Sequence, residues 1–387
     1  MLKPIIKLLT SLRLTVTLLA LGVAVVFFGT LAQTSDGLYV AQSRYFRSWF
    51  STWSPHTVPW IVVPLPGGYL LGTLLLVNLV SAHIQRFRFS WKKSGIFLTH
   101  LGIILLLLGQ LFTDMFARES RMSFAEGEWR NYTEDFQKTE LAVLTDASDR
   151  AYDSVVVIPE SVLTARGETA HSSLPFKIRV REYYENALLR ARAPFVDTNR
   201  PPASSEGVGA RAVVDGRPPT REMDKRSMPA LVAELIGSKG SLGTWLFSMV
   251  LDPQDVVVEG KTFRISLRDM RYYQPFSVRL LKTTHETYLG STRAKNYQSR
   301  IRLEHPGGGG DREVDIYMNN PLRYSGLTFF QSQMGNELRD GSGRGTSVFQ
   351  VVKNPSWIAP YVGCGLVAAG LVVQFLIHLV GFIRKKA

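Results

Sequence analysis

The side chain best placed to do chemistry in this sequence is His100. It stands in Ser94–Thr113, SGIFLTHLGIILLLLGQLFT, as the one ionisable residue of an apolar run. About 20 such residues at about 1.5 Å each cross roughly 30 Å of hydrocarbon, so the run predicts a membrane-spanning helix. An imidazole costs free energy in lipid unless it faces a partner, a cavity or a cofactor. A neutral ring there can hydrogen-bond to a neighbouring helix, or its nitrogen can ligate the iron of a haem. His378 stands in the last apolar run. Counted from Lys93 and Arg384, His100 lies seven residues in and His378 six, which predicts a shared level roughly 10 Å deep where two helices could face one iron. His83, at the end of the second apolar run, is a further candidate ligand. The remaining histidines, His56, His171, His285 and His305, fall in polar segments.

Other chemistries find little support. Cys364 is the sole cysteine, so the chain has no dithiol pair, no intrachain disulfide and no cysteine zinc cluster. No HExxH or carboxylate set with metal spacing is present. Gly307–Gly310 precedes a strand-like stretch, whereas a phosphate loop joins a strand to a helix. No nucleophile elbow is present, so no complete active site is expected within this chain.

The elements that must position these histidines are read from hydropathy and charge. The chain carries a net charge of +13, but residues 114–353 contribute only +2 and the remainder +11. The basic excess therefore flanks apolar runs and marks a membrane protein, with nothing that asks for nucleic acid. Residues 1–33 carry a basic start and a first span, Leu14–Ala32, whose apolar core exceeds that of a signal peptide. Residues 34–63 read as an outer loop with Trp49, Trp53 and Trp60 at headgroup level. Residues 64–93 hold span two, opened by Pro64, Pro66, Gly67 and Gly68, and a basic loop. Residues 94–113 are span three, and 357–387 are span four with the tail Arg384, Lys385 and Lys386. Ten Lys and Arg lie in the segments read as cytoplasmic against Arg44 and Arg47 in the outer loop. Both termini are then inside and the large domain outside.

That domain, 114–356, reads as mainly β. Strand patterns occur at Glu140–Leu144, Phe176–Val180, Thr262–Leu267, Ser277–Leu281, Ser299–Leu303 and Leu327–Gln331, which predicts a sandwich or two small layers. Residues 192–221, rich in Pro, Gly, Arg and Ser, read as a flexible insert, and Met228–Met249 reads as a helix interrupted by glycines. The most specific stretch is Phe276–Gly335. There Asn320 and Pro321 fix one turn, Ser325 and Gly326 a second, and Tyr324, Phe329 and Phe330 supply apolar area.

The phrase NNPLRYSGLTFFQSQMG, the pattern of Tyr288, Gly290, Tyr297 and Ser299, the first-span phrase SLRLTVTLLALGVAVVFFGTLAQ, the third-span histidine and VVKNPSWIAPYVGCGL together resemble the ResB family of cytochrome c biogenesis proteins, the system II route. The resemblance extends over nearly the whole chain. It implies a polytopic α-helical protein of four spans with a large, mainly β extracytoplasmic domain between spans three and four, in a bacterial cytoplasmic membrane. It also implies a ResC or CcsA type membrane partner, with which the chain exports haem b and supports its attachment to the CxxCH thiols of an apocytochrome c. Carried over by residue, His100 matches the family's membrane haem ligand, while Asn320, Pro321, Leu322, Tyr324 and Gly326 are candidates for contact with the partners. A thioredoxin-like protein would have to supply thiol reduction. Two other readings remain: a membrane-anchored assembly scaffold that binds no haem, and an electron-transfer subunit with haem between His100 and His378.

Overall fold

The structure, a computed structural model, describes residues 2–54, 60, 62–86, 90–145, 154–193, 195–220, 226–290, 294–306, 310–335 and 344–386. They fall into two compact units. The helical unit contains α1 (Leu2–Leu9), α2 (Leu12–Asp36), α3 (Leu38–Ala41), a π-turn at Gln42–Phe46, a hairpin of β1 (Phe50–Trp53) and β2 (Val63–Pro66), then α4 (Gly68–Arg86) and α5 (Ser94–Phe116). After the short α6 (Glu160–Thr164) of the other unit, α7 (Ala359–Lys386) completes it. Four of these helices, α2, α4, α5 and α7, are long and apolar enough to cross a membrane.

Local chemistry sets their ends. Ser11 caps α2, its hydroxyl accepting from the Arg13 amide, and Gly37, with φ at 80°, stops it. The chain re-enters at α4 through Gly67 and Gly68 because backbone there runs against backbone: a Cβ on Gly67 would collide with the Ser48 carbonyl, and one on Gly68 with that of Phe46. The loop expected at 34–63 is thus partly built structure, with Tyr45 buried beneath it. Side chains such as Val23, Leu371 and Phe375 remain exposed on α2 and α7, the condition lipid relieves.

Helices α5 and α7 pack antiparallel along a seam of glycines seven residues apart. An added Cβ at Gly95 would lie 2.5 Å from the Gly370 carbonyl oxygen, at Gly102 2.7 Å from that of Gly363, and at Gly109 2.6 Å from the Ala359 Cβ. Small residues let the backbones approach, which is how helices gain dispersion contact where lipid gives no hydrophobic drive.

The second unit contains β3 (Arg118–Ala125), β4 (Trp129–Thr145), β5 (Ser154–Pro159), β6 (Glu168–Thr169), β7 (Phe176–Tyr184), β8 (Ala187–Ala191), β9 (Ala212–Gly216), β10 (Ala230–Gly237), β11 (Gly240–Ser248), β12 (Gln254–Val258), β13 (Lys261–Thr287), β14 (Ala294–Glu304), β15 (Arg312–Tyr317), β16 (Leu322–Tyr324), β17 (Leu327–Gly335) and β18 (Thr346–Lys353). The largest sheet runs β15-β14-β13-β4-β3-β18-β17-β16, with β12 on β13 and β5 on β4; a second runs β11-β10-β7-β6. Two expected strands, 262–267 and 277–281, are parts of the single strand β13. Its register against β4 breaks after Asp269 and again between Tyr273 and Val278. These breaks carry the strand from one core, with Leu141, Ile265, Leu231 and Phe247, to another, with Val278, Leu280, Phe329 and Phe349.

Two expectations give way here. Met228–Met249 is not a helix but the hairpin of β10 and β11, joined through Gly240 at φ 119°. Leu231, Ala233 and Leu235 of β10 face one core while Ala230 and Val232 face another, so burial on both sides erased the alternation that marks a strand. Within 192–221, a 3-10 turn at Gly207–Arg211 leads into β9, which pairs with β8, and Arg190 and Arg200 bind Asp197 and Asp215 around it.

Candidate functional site

His100 and His83 lie together. Their rings, on α5 and α4, have centroids 4.7 Å apart at 73°, edge to face. His83 is oriented by its own helix, Nδ1 standing 3.2 Å from the Leu79 carbonyl oxygen. The Nδ1 of His100 is buried without a well-formed hydrogen bond, the Ile96 carbonyl one turn back being the backbone acceptor in reach. A buried nitrogen left unsatisfied is the donor a metal ligand supplies.

The arrangement limits how haem could be held. With metal–imidazole bonds of about 2.0 Å, two axial rings on one haem need centres roughly 6 Å apart on opposite sides of the macrocycle. The rings of His83 and His100 touch, so the pair as it stands does not enclose a porphyrin. His100 alone could offer a nitrogen to such a group, with His83 as the neighbour that packs against its ring.

The expected level for His378 is not the one observed. With Gly102 against Gly363 and Gly95 against Gly370, the level of His100 falls near Gly365 on α7. His378 stands thirteen residues further, about 20 Å along the axis. It is exposed, 2.9 Å from the Gln374 amide nitrogen. The equal counts from Lys93 and Arg384 misled because α7 continues well past the start of α5. His56 lies outside the described residues, and among those described no group of three His, Cys, Asp or Glu gathers as a metal site.

In the β unit, Asn320 bridges back to Tyr317 ahead of Pro321 and β16, and Ser325 and Gly326, both at positive φ, turn β16 into β17. Leu322 is buried, and Tyr324 packs edge-on to Phe276 at 4.9 Å while its hydroxyl meets His305 Nε2. Asn320 and Gly326 are exposed and Pro321 half-buried, so the motif builds the core on one side and a surface on the other. Ser299 donates to Gln331 at 2.7 Å and meets Ser347 at 2.9 Å, a buried polar tie across three strands.

Two residues escaped the sequence reading. Asn78, almost fully buried in α4, accepts from Thr15 at 2.6 Å and donates to the Leu9 carbonyl at 2.6 Å, which joins α4 to the break between α1 and α2. Asp114, near the end of α5, pairs with Arg47 at 2.9 Å and accepts from Tyr69. Both are lone polar interruptions of apolar runs, which was the available signal.

The model of the ResB-like family matches residues 230–342, from β10 through the NNPLRY turn. Over these residues the chain is similar to the ResB-like family. It is also 23% identical over 316 residues to Protein NrfI of Wolinella succinogenes, an alignment that covers 79% of this chain and 30% of that protein. The chain thus spans under a third of the length of this curated relative.

Proposed function

We propose that this chain is a haem-handling membrane subunit of cytochrome c biogenesis, working with a ResC or CcsA type partner to pass haem b outward for attachment to the CxxCH of an apocytochrome. The observation that carries this is His100: an imidazole inside an apolar helix, its Nδ1 buried and unsatisfied, in a chain whose β unit carries the ResB-like match. His100 would supply one axial nitrogen, and His83 would fix the ring that presents it. The second ligand comes from the partner, since His378 stands a different distance along the bundle. When bound, haem supplies the vinyl groups that cysteine thiols attack.

The β unit, set outside by the excess of Lys and Arg on the opposite loops, would hold apocytochrome near the partner through the exposed face at Asn320, Pro321 and Gly326. Thiol reduction comes from a separate thioredoxin-like protein, since Cys364 lies within α7. The chain contributes position and ligation within a synthase complex, without a complete active site of its own. The test is the absorption spectrum of the complex co-purified with its partner. His100→Ala should lose haem or shift the Soret band, and His378→Ala should match wild type. Normal haem in His100→Ala, with assembly lost only when Asn320 and Pro321 are changed, would instead favour a scaffold.

A further inference from the structure

We propose that the helical unit holds a second ligand site, for a neutral, ring-bearing carbonyl amphiphile of the quinone and quinol class. The site is a cavity of about 600 Å3 framed by α2, the π-turn, α4 and α5. That volume lies within the range of small-molecule pockets. Its inner wall begins at Leu76 and Leu107, each seven residues from His83 and His100, so it lies about 10 Å along the helices from the imidazoles. The proposal therefore stands independently of haem ligation.

The chemistry of the lining selects the ligand. Gln33, Gln42 and Gln110 face the cavity, and none of their side-chain amides has a hydrogen-bond partner among the described residues. Gln110 interrupts an apolar run of α5, residues 104–112, where an unpaired amide costs free energy unless the cavity provides its partner. The charged groups present close on each other: Arg47 binds Asp114 at 2.9 Å and Tyr69 donates to the same carboxylate. With no uncompensated charge, the lining favours a neutral molecule over an anion such as a porphyrin with free propionates. An amide both donates and accepts, which matches a group that is a carbonyl in one redox state and a hydroxyl in the other. Leu76, Leu107 and Leu111 supply the apolar wall for the rest of the molecule, and Trp49, beside Tyr69, offers a ring face. Gly72 also lines the cavity, and an added Cβ there would meet nothing within 4 Å.

The experiment titrates the full-length protein in nanodiscs with decylubiquinone, read by quenching of tryptophan fluorescence. Saturable binding is expected. Gly72→Phe, which fills the cavity without a clash at its Cβ, and Gln110→Leu, which removes one amide, should each weaken binding on the order of tenfold while leaving the circular dichroism unchanged. His100→Ala should bind as wild type does. Absence of saturable quenching, equal binding of decylbenzene, or wild-type affinity in both cavity variants would overturn the proposal. Loss of binding in His100→Ala would also overturn it as a separate site.

Discussion

At the scale of single residues, the chain hides polar groups where they are costly and satisfies most of them. Glu140 is nearly fully buried and held by Arg268, Nε to Oε1 at 2.9 Å, with the Arg271 amide on the other oxygen. Arg268→Ala leaves that carboxylate buried without its cation and should cost about 3–5 kcal/mol, read by chemical denaturation. Asn78 plays the same part in the helical unit. Asn78→Leu strands the Leu9 carbonyl and the Thr15 hydroxyl and should lower stability by about 1–3 kcal/mol, seen as a fall in thermal midpoint in detergent. The Nδ1 of His100 is one of the few buried polar atoms left without a partner among the described residues, and it is the basis of the functional reading. Its position in an apolar run was legible in the sequence. Its contact with His83 was not, because the register of α5 against α4 depends on packing between two helices that no local pattern marks.

At the scale of elements, two designs dominate. The glycine seam fixes how α5 meets α7, and Gly102→Leu would drive a side chain into the Gly363 backbone. The expected loss is at least about 1–3 kcal/mol, together with disturbance of any haem signal that depends on α5. The β8–β9 hairpin is held by ion pairs instead. Arg190 holds the Asp197 carboxyl well below the usual carboxylate range, and the hydrogen bond from Arg200 lowers that of Asp215. Depressed folded values mean that this support is present above the ordinary carboxylate range and is lost as the pH falls through it towards the folded values. Hydrogen exchange at residues 187–216 should therefore be protected at neutral pH and quicken, relative to the β10 strand, only under acid. Sequence reasoning found strands with one wet face, such as Phe176–Val180 and Ser299–Leu303, since alternation survives there. It missed β10 because a strand buried on both faces has the composition of a buried helix.

At the scale of the whole molecule, hydropathy and charge carried most of the architecture: four apolar helices and a mainly β unit between the third and fourth were legible from the distribution of residues alone. The long bend of β13 through two cores was not, since it depends on a register break that no local pattern marks. The proposed placement of the β unit outside rests on the basic loops and can be tested. In a Cys364→Ala background, Ser332→Cys, at an exposed position on β17, should react with a membrane-impermeant maleimide on intact cells; reaction only after permeabilisation would reverse the topology.

The most direct test of the account is chemical rescue at His100. In the complex with its partner, His100→Gly should lose its Soret absorbance, and added imidazole, entering the space left by the side chain, should restore it. A His100→Gly complex that keeps the wild-type spectrum without imidazole would contradict the assignment of that nitrogen to haem iron.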